Sequence, residues 1–135
     1  MISPEIIKIA SDTSNCGVNT NSNLIATSKN KNCGDTISVE IEVLNNKIHK
    51  MSYETESCIF CQASASLLSK IIKKSDINIL RNDVYEINMS YKIKKFVLKK
   101  KFEPFRKLFQ EKYKERFNCI LLPFNALLKV INNAI

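Results

Sequence analysis

The chain reads as an α+β domain: a small antiparallel β-sheet with helices packed on one face. Three stretches predict this. Thr36-Ile37-Ser38-Val39-Glu40-Ile41-Glu42-Val43 alternates apolar and polar residues with period two, as a strand does with one buried and one wet face. Asn45-Asn46 makes a hairpin turn, and Lys47-Ile48-His49-Lys50-Met51-Ser52-Tyr53 returns antiparallel to it. From Ala63 to Lys74 the period changes, with Leu67, Leu68, Ile71 and Ile72 on one helical stripe.

The remaining elements follow in chain order. Pro4 opens a short amphipathic helix over residues 4–10, where its missing N–H costs nothing. Ser11 to Asn23 is polar and turn-rich, a surface loop in which Cys16 finds no partner in sequence. Asn23 to Thr27 is expected as a short edge strand. Ser75-Asp76 stops the helix that precedes it and caps the next, which is expected to run from Ile77 to about Phe102 with lysines gathered at its C-terminal end. Pro104 ends that helix and fits the first turn of another, whose apolar face is Phe105, Leu108 and Phe109. A last amphipathic helix, with Cys119 near its start and Pro123 near its first turn, runs on to Ile135.

Length and composition set bounds. At 135 residues the chain suits one domain over 1–135, large enough to bury a core without covalent staples. No apolar run approaches the ~20 residues needed to cross a bilayer, so no membrane partner is expected. Met1-Ile2-Ser3-Pro4-Glu5 has neither the basic nor the apolar region of a secretion signal, so the cytoplasm is the expected compartment. Five cysteines, an odd number in a reducing compartment, argue for metal-binding or reactive thiols over a disulfide framework. The net charge of +8 does not argue for nucleic acid, because 18 of the 21 basic residues are lysine (21 less Arg81, Arg106 and Arg116). Readers of bases and phosphates favour the guanidinium fork. The basic stretch 92–116 reads first as a solvated face and second as a docking face for an acidic protein.

Two stretches carry candidate chemistry. In Asn30-Lys31-Asn32-Cys33-Gly34-Asp35, Gly34 is one of only two glycines and permits a turn that aims Cys33 and Asp35 at one point. An ordinary turn entering a strand is the competing reading. In Ser57-Cys58-Ile59-Phe60-Cys61-Gln62-Ala63-Ser64-Ala65-Ser66, the Cys58 thiol heads a helix, where the dipole favours a thiolate, and Cys119 takes the same position further on. A small buried hydrophobe is the competing reading for either one. The hairpin between the two stretches brings its ends together, so Cys33, Asp35 and Cys58 are expected in one neighbourhood. Cys58 and Cys61 form a single C-x2-C, which lacks the second knuckle of a zinc finger and the βαβ setting of a thioredoxin.

These segments, with Arg116-Phe117-Asn118-Cys119-Ile120-Leu121-Leu122-Pro123-Phe124, resemble in order the motifs of the U-type iron–sulfur cluster assembly scaffolds, the IscU/SufU/NifU N-terminal family. The resemblance implies an IscU/SufU-like fold. It implies a scaffold, not an enzyme, that binds iron or a [2Fe–2S] cluster through Cys33, Asp35, Cys58 and Cys119 and passes it to apo iron–sulfur proteins. A cysteine desulfurase is the implied sulfur donor, with Cys119 as the expected persulfide acceptor. Cys61 stands where the family has serine and reads as a packing residue. The chain departs from IscU-type members in carrying Asn118 where they have histidine, and it lacks their L-P-P-V-K chaperone segment. The only histidine, His49, lies in the hairpin. These departures favour the alternative, a SufU-like protein that holds Zn²⁺ and relays sulfur from the desulfurase it activates.

Overall fold

The computed structural model of the chain describes residues 2–19, 23–31, 33–92 and 98–134. Helix α1 (Pro4–Ser11) leads to strands β1 (Ile25–Lys29), β2 (Thr36–Leu44) and β3 (Lys47–Glu56). Helices α2 (Ile59–Ile71) and α3 (Ile77–Lys92) follow, then two 3₁₀ segments (Lys100–Lys107 and Glu111–Arg116) and α4 (Phe117–Ala134). The three strands form one antiparallel sheet in the order β1-β2-β3. Among the described residues no helix is long and apolar enough to cross a membrane.

The alternation in β2 decides how the sheet is covered. Ile37, Val39 and Ile41 are buried together with Ile48, Met51 and Tyr53 of β3. Helix α4 lies against β1 and β2, and α2 lies against β3. Ser38, Glu40, Glu42 and Glu54 occupy the opposite, polar face by the same period of two. The hairpin turn is built from Asn45 and Asn46, both left-handed (φ 52° and 64°), the conformation asparagine tolerates best after glycine. A bulge shifts the register between Glu42 and Val43 and leaves His49, exposed, without a partner on β2.

Local capping fixes the helix starts. The Ser3 side chain accepts from the Ile6 amide at 3.3 Å and opens α1, with Pro4 in the first turn. Asp76 caps α3 by accepting from the amides of Asn78 and Ile79 at 2.9 and 3.1 Å, and these bonds hold its carboxyl below its usual pKa. Asp12, just past α1, pairs with Lys70 of α2 and is likewise held far below the usual carboxylate range. A depressed carboxyl pKa stabilises above the unfolded value, 3.8 here, and that contribution is lost as the pH falls below it.

Several expectations need correction. The edge strand begins at Ile25, two residues later than expected, because pairing with β2 places Ile25 opposite Glu40 and Lys29 opposite Thr36. The loop expected around Cys16 is exposed but tied to the sheet by its backbone: the Tyr53 amide donates to the Asn15 carbonyl (3.1 Å) and the Gly17 amide to the Tyr53 carbonyl (2.8 Å). This short stretch therefore lies along the outer side of β3. The chain then crosses the polar face, where the amides of Val18 and Asn19 donate to the carboxylates of Glu54 and Glu40.

The long helix expected to about Phe102 is described only as far as Lys92, residues 93–97 lie outside the described residues, and a 3₁₀ segment replaces it from Lys100 with Pro104 inside. Aromatic burial explains the change. Phe102 and Phe105 are fully buried against Phe124 of α4, with ring centroids 6.2 and 4.9 Å away, and a straight helix would carry them past that partner. Lys99 and Lys101 secure the turn by reaching the buried carboxylate of Asp83 on α3, at 2.6 and 3.5 Å. The Asp83→Ala variant should therefore lose about 1–2 kcal/mol, less than a fully enclosed pair costs, because both lysines can turn to water. A lower urea midpoint at unchanged m-value is the expected readout.

Pro123 also lies deeper in its helix than expected, well inside α4. It has no amide to offer the Cys119 carbonyl one turn back. The neighbouring Ile120 carbonyl is taken by the buried Ser64 hydroxyl of α2 at 2.6 Å, which fastens the two helices together just beneath Cys119. At the open side of β1, the Lys129 ammonium donates to the Thr27 carbonyl at 3.0 Å.

Candidate metal centre

The turn before β2 closes on itself: the Gly34 amide donates to the Asn30 carbonyl and the Asn30 amide to the Asp35 carbonyl, both at 2.8 Å. Gly34 adopts φ +76°, a left-handed conformation that a side chain resists. The turn holds Cys33 exposed at its tip and folds Asp35 inward to 7% exposure.

At the far end of the hairpin, the Thr55 hydroxyl donates to the Thr36 carbonyl at 2.6 Å and lies 2.7 Å from the Ser57 hydroxyl. Gln62 donates to the Ser57 carbonyl at 2.8 Å. These bonds clasp the end of β3 to the start of β2. Cys58 sits at the N-cap of α2 with no side-chain cap, and its amide donates to Asp35 Oδ1 at 3.2 Å. From the third direction, α4 delivers Cys119 in its first turn, with its sulfur 3.9 Å from that of Cys33.

Ligand atoms of Cys33, Asp35 and Cys119 thus lie within 4.8 Å of one another, though 84 residues separate the last two (119 − 35). Cys58 stands outside that mutual spacing, half-buried, with its amide on Asp35 and its thiol against that of Cys119. Asp35 Oδ2 is buried with no hydrogen-bond partner among the described residues. A buried carboxylate oxygen is costly to leave unpaired. The donor set, soft sulfur with one oxygen, fits a thiophilic cation that supplies the missing partner.

The thiols differ in character. Burial pushes the Cys119 thiol well above its ordinary pKa, and the neighbouring Cys58 and Cys33 thiols push the same way. The dipole at the head of α4 does not make it a free thiolate, contrary to expectation; an arriving cation would supply the opposing charge. Cys61 lies in the core beneath α2, 3.8 Å from the Thr55 hydroxyl, and burial pushes its thiol up to about 12. Its thiol thus stays protonated and shielded in the folded chain. Iodoacetamide should therefore label Cys16 and Cys33 in the native chain, while Cys61 reacts only in urea; peptide mapping by mass spectrometry checks this.

The C-x2-C pair is split, with Cys58 at the cluster and Cys61 in the core. Cys16 lies at the edge of β3 beside Tyr53. Much of the basic stretch is spent internally: Lys99 and Lys101 on Asp83, Arg106 on Glu103, Lys107 on Glu5 and Lys114 on Glu111. Sequence reasoning missed the Thr55, Ser57 and Gln62 clasp, since hydroxyl and amide side chains near a strand end carry no distinguishing pattern.

Comparison with known proteins gives the following. The family model described as the NifU-like N terminal domain matches residues 1–101. No curated protein sequence matches the chain significantly. The fold is similar to that of a nitrogen-fixing NifU-like protein (N-terminal) from Brucella abortus, with a TM-score of 0.84 at 21% identity over 97% of this chain and 92% of that one. It is also similar to FiSufU, described as a candidate iron–sulfur cluster assembly scaffold protein for the SUF system of Fervidobacterium islandicum AW-1. That match has a TM-score of 0.83 at 20% identity over 96% of each chain.

Proposed function

The chain belongs to the NifU-like N-terminal domain family of iron–sulfur cluster scaffolds, and from that premise we propose that it assembles a [2Fe–2S] cluster on Cys33, Asp35, Cys58 and Cys119 and hands it to apo-proteins. The observation that carries this reading is the convergence of two thiols from opposite ends of the chain on a buried carboxylate with an unpartnered oxygen. Cys58, already bound to Asp35 through its amide, completes the set by a small change of its side chain.

Each residue has a distinct task. The thiols give up their protons on taking iron, so loading releases acid and is favoured as the pH rises. Asp35 is the weak point of the cage, because carboxylate oxygen is a harder donor than thiolate and holds iron–sulfur iron less firmly. A scaffold needs such a point, since its cargo has to leave. Cys33, exposed on its turn, forms the outer wall of the site. Sulfur arrives as a persulfide from a cysteine desulfurase and is accepted on Cys119. The chain works in the cytoplasm as one domain and serves as a platform without turning over a substrate of its own.

A second reading is a zinc-holding relay that passes sulfur onward without building a cluster. It draws on Asn118, which is exposed and stands where IscU-type scaffolds have histidine. Anaerobic reconstitution with iron, sulfide and a desulfurase separates the two. Visible cluster absorbance that survives gel filtration supports the scaffold, and tightly held zinc that iron cannot displace supports the relay. A chain that takes up neither ion ends both.

A further inference from the structure

We propose that Cys33 is a resolving thiol that frees sulfide from a persulfide on Cys119. The proposal rests on the reading that sulfur reaches this site in persulfide form. Its basis is the 3.9 Å separation of the two sulfurs, close to van der Waals contact, which puts Cys33 beside the sulfur that would be the inner one of such a persulfide. Well-placed reacting atoms stand about 3–3.5 Å apart before bond formation. A small movement of the Cys33 side chain on its exposed turn would close the remaining gap. That turn is exposed at Lys31, Cys33 and Gly34, and beyond the glycine and its chain neighbours nothing lies within 4 Å of where a Gly34 Cβ would be.

The chemistry balances within the site. The Cys33 sulfur attacks Cys119 Sγ, so the new bond joins the two protein sulfurs. The bond between Cys119 Sγ and the outer sulfur breaks, and the outer sulfur leaves with the electron pair as hydrosulfide. The Cys33 proton passes to the leaving group or to solvent. One sulfane sulfur is reduced by two electrons, and the two cysteines are oxidised to one disulfide. An external dithiol reductant then returns the disulfide to two thiols by exchange. Attack on the outer sulfur would instead move the persulfide to Cys33 and release nothing. A cation held by both sulfurs blocks either route, so sulfide release belongs to the metal-free state of the pair.

The test uses the full chain, freed of metal and kept anaerobic, loaded in one arm by a cysteine desulfurase with cysteine and in the other by sodium polysulfide. After desalting, the expected result is one sulfide released per cross-link between tryptic peptides 32–47 and 117–129. The Cys33→Ser variant should keep its persulfide on peptide 117–129 and release sulfide at least about tenfold more slowly. Zinc added before loading should stop release, and the Cys16→Ser variant should behave as the native chain. Release from Cys33→Ser at the native rate, or a persulfide found on peptide 32–47 without sulfide, overturns the proposal. If the desulfurase fails to load the chain while the polysulfide arm still yields the cross-link, the desulfurase reading falls and the resolving role of Cys33 stands.

Discussion

The Cys119→Ser variant should bind zinc at least about a hundredfold more weakly than the native chain. Loss of an outer-sphere partner typically costs 10–100-fold, and loss of a direct thiolate should exceed that. Of the proposed ligands, Cys119 is the one whose absence the site could least repair. It is buried at the head of α4, within the mutual spacing shared with Cys33 and Asp35, and it faces Cys58 as well. A hydroxyl in its place is a poor donor for a thiophilic ion, and the buried Asp35 Oδ2, which has no hydrogen-bond partner among the described residues, would stay unpaired. Competition against a chromophoric chelator at fixed pH measures the change. An unaltered affinity would remove Cys119 from the ligand set and return it to the status of a packing residue. The same titration at rising pH should show tighter binding for the native chain, because thiols held in the protonated form must release protons to the solvent.

The Phe124→Ala variant is expected to lose about 3–5 kcal/mol of stability, the range for removing a fully buried aromatic side chain. Phe124 is the hub of an aromatic cluster, with the rings of Phe102, Phe105 and Phe109 at 6.2, 4.9 and 6.4 Å. Its removal opens a cavity between α4 and the first 3₁₀ segment, and that segment has no long helix of its own to fall back on. Chemical denaturation followed by circular dichroism should show a much lower midpoint. Because α4 also carries Cys119, zinc should recover part of the loss, as any ligand of the folded state does. A midpoint within 1 kcal/mol of the native value, as an order of magnitude for a tolerated swap, would show that the cluster repacks.

The β2–β3 hairpin was legible because both of its signals are local. Period-two alternation assigns the faces, and two adjacent asparagines supply the left-handed turn. The Cys33–Asp35 turn was legible for a similar reason, since a scarce glycine between a thiol and a carboxylate marks a special backbone position. The meeting of Cys119 with Cys33 was beyond local signals. It depends on α4 packing across β1 and β2, and only the family resemblance supplied that expectation. The 3₁₀ segments are not legible because their lysine-rich sequence favours a regular helix by propensity. Burial of Phe102 and Phe105 against a residue some twenty positions away outweighs propensities worth only tenths of a kcal/mol each. The bridge that lays the Cys16 loop along β3 carries no sequence signal, because a single contact with a strand edge leaves no periodic trace.

Three strands make a narrow sheet, and each of its two rims would ordinarily invite a stranger's strand. Here the outer rim of β3 is occupied by the backbone around Cys16, and that of β1 is stoppered by a lysine from α4 on the Thr27 carbonyl. The molecule thereby gives up the commonest route to edge-to-edge stacking and fibre growth. A protein that carries an exposed thiol on the turn at Cys33 can in this way stay crowded among its own copies without the sheet itself becoming the point of adhesion.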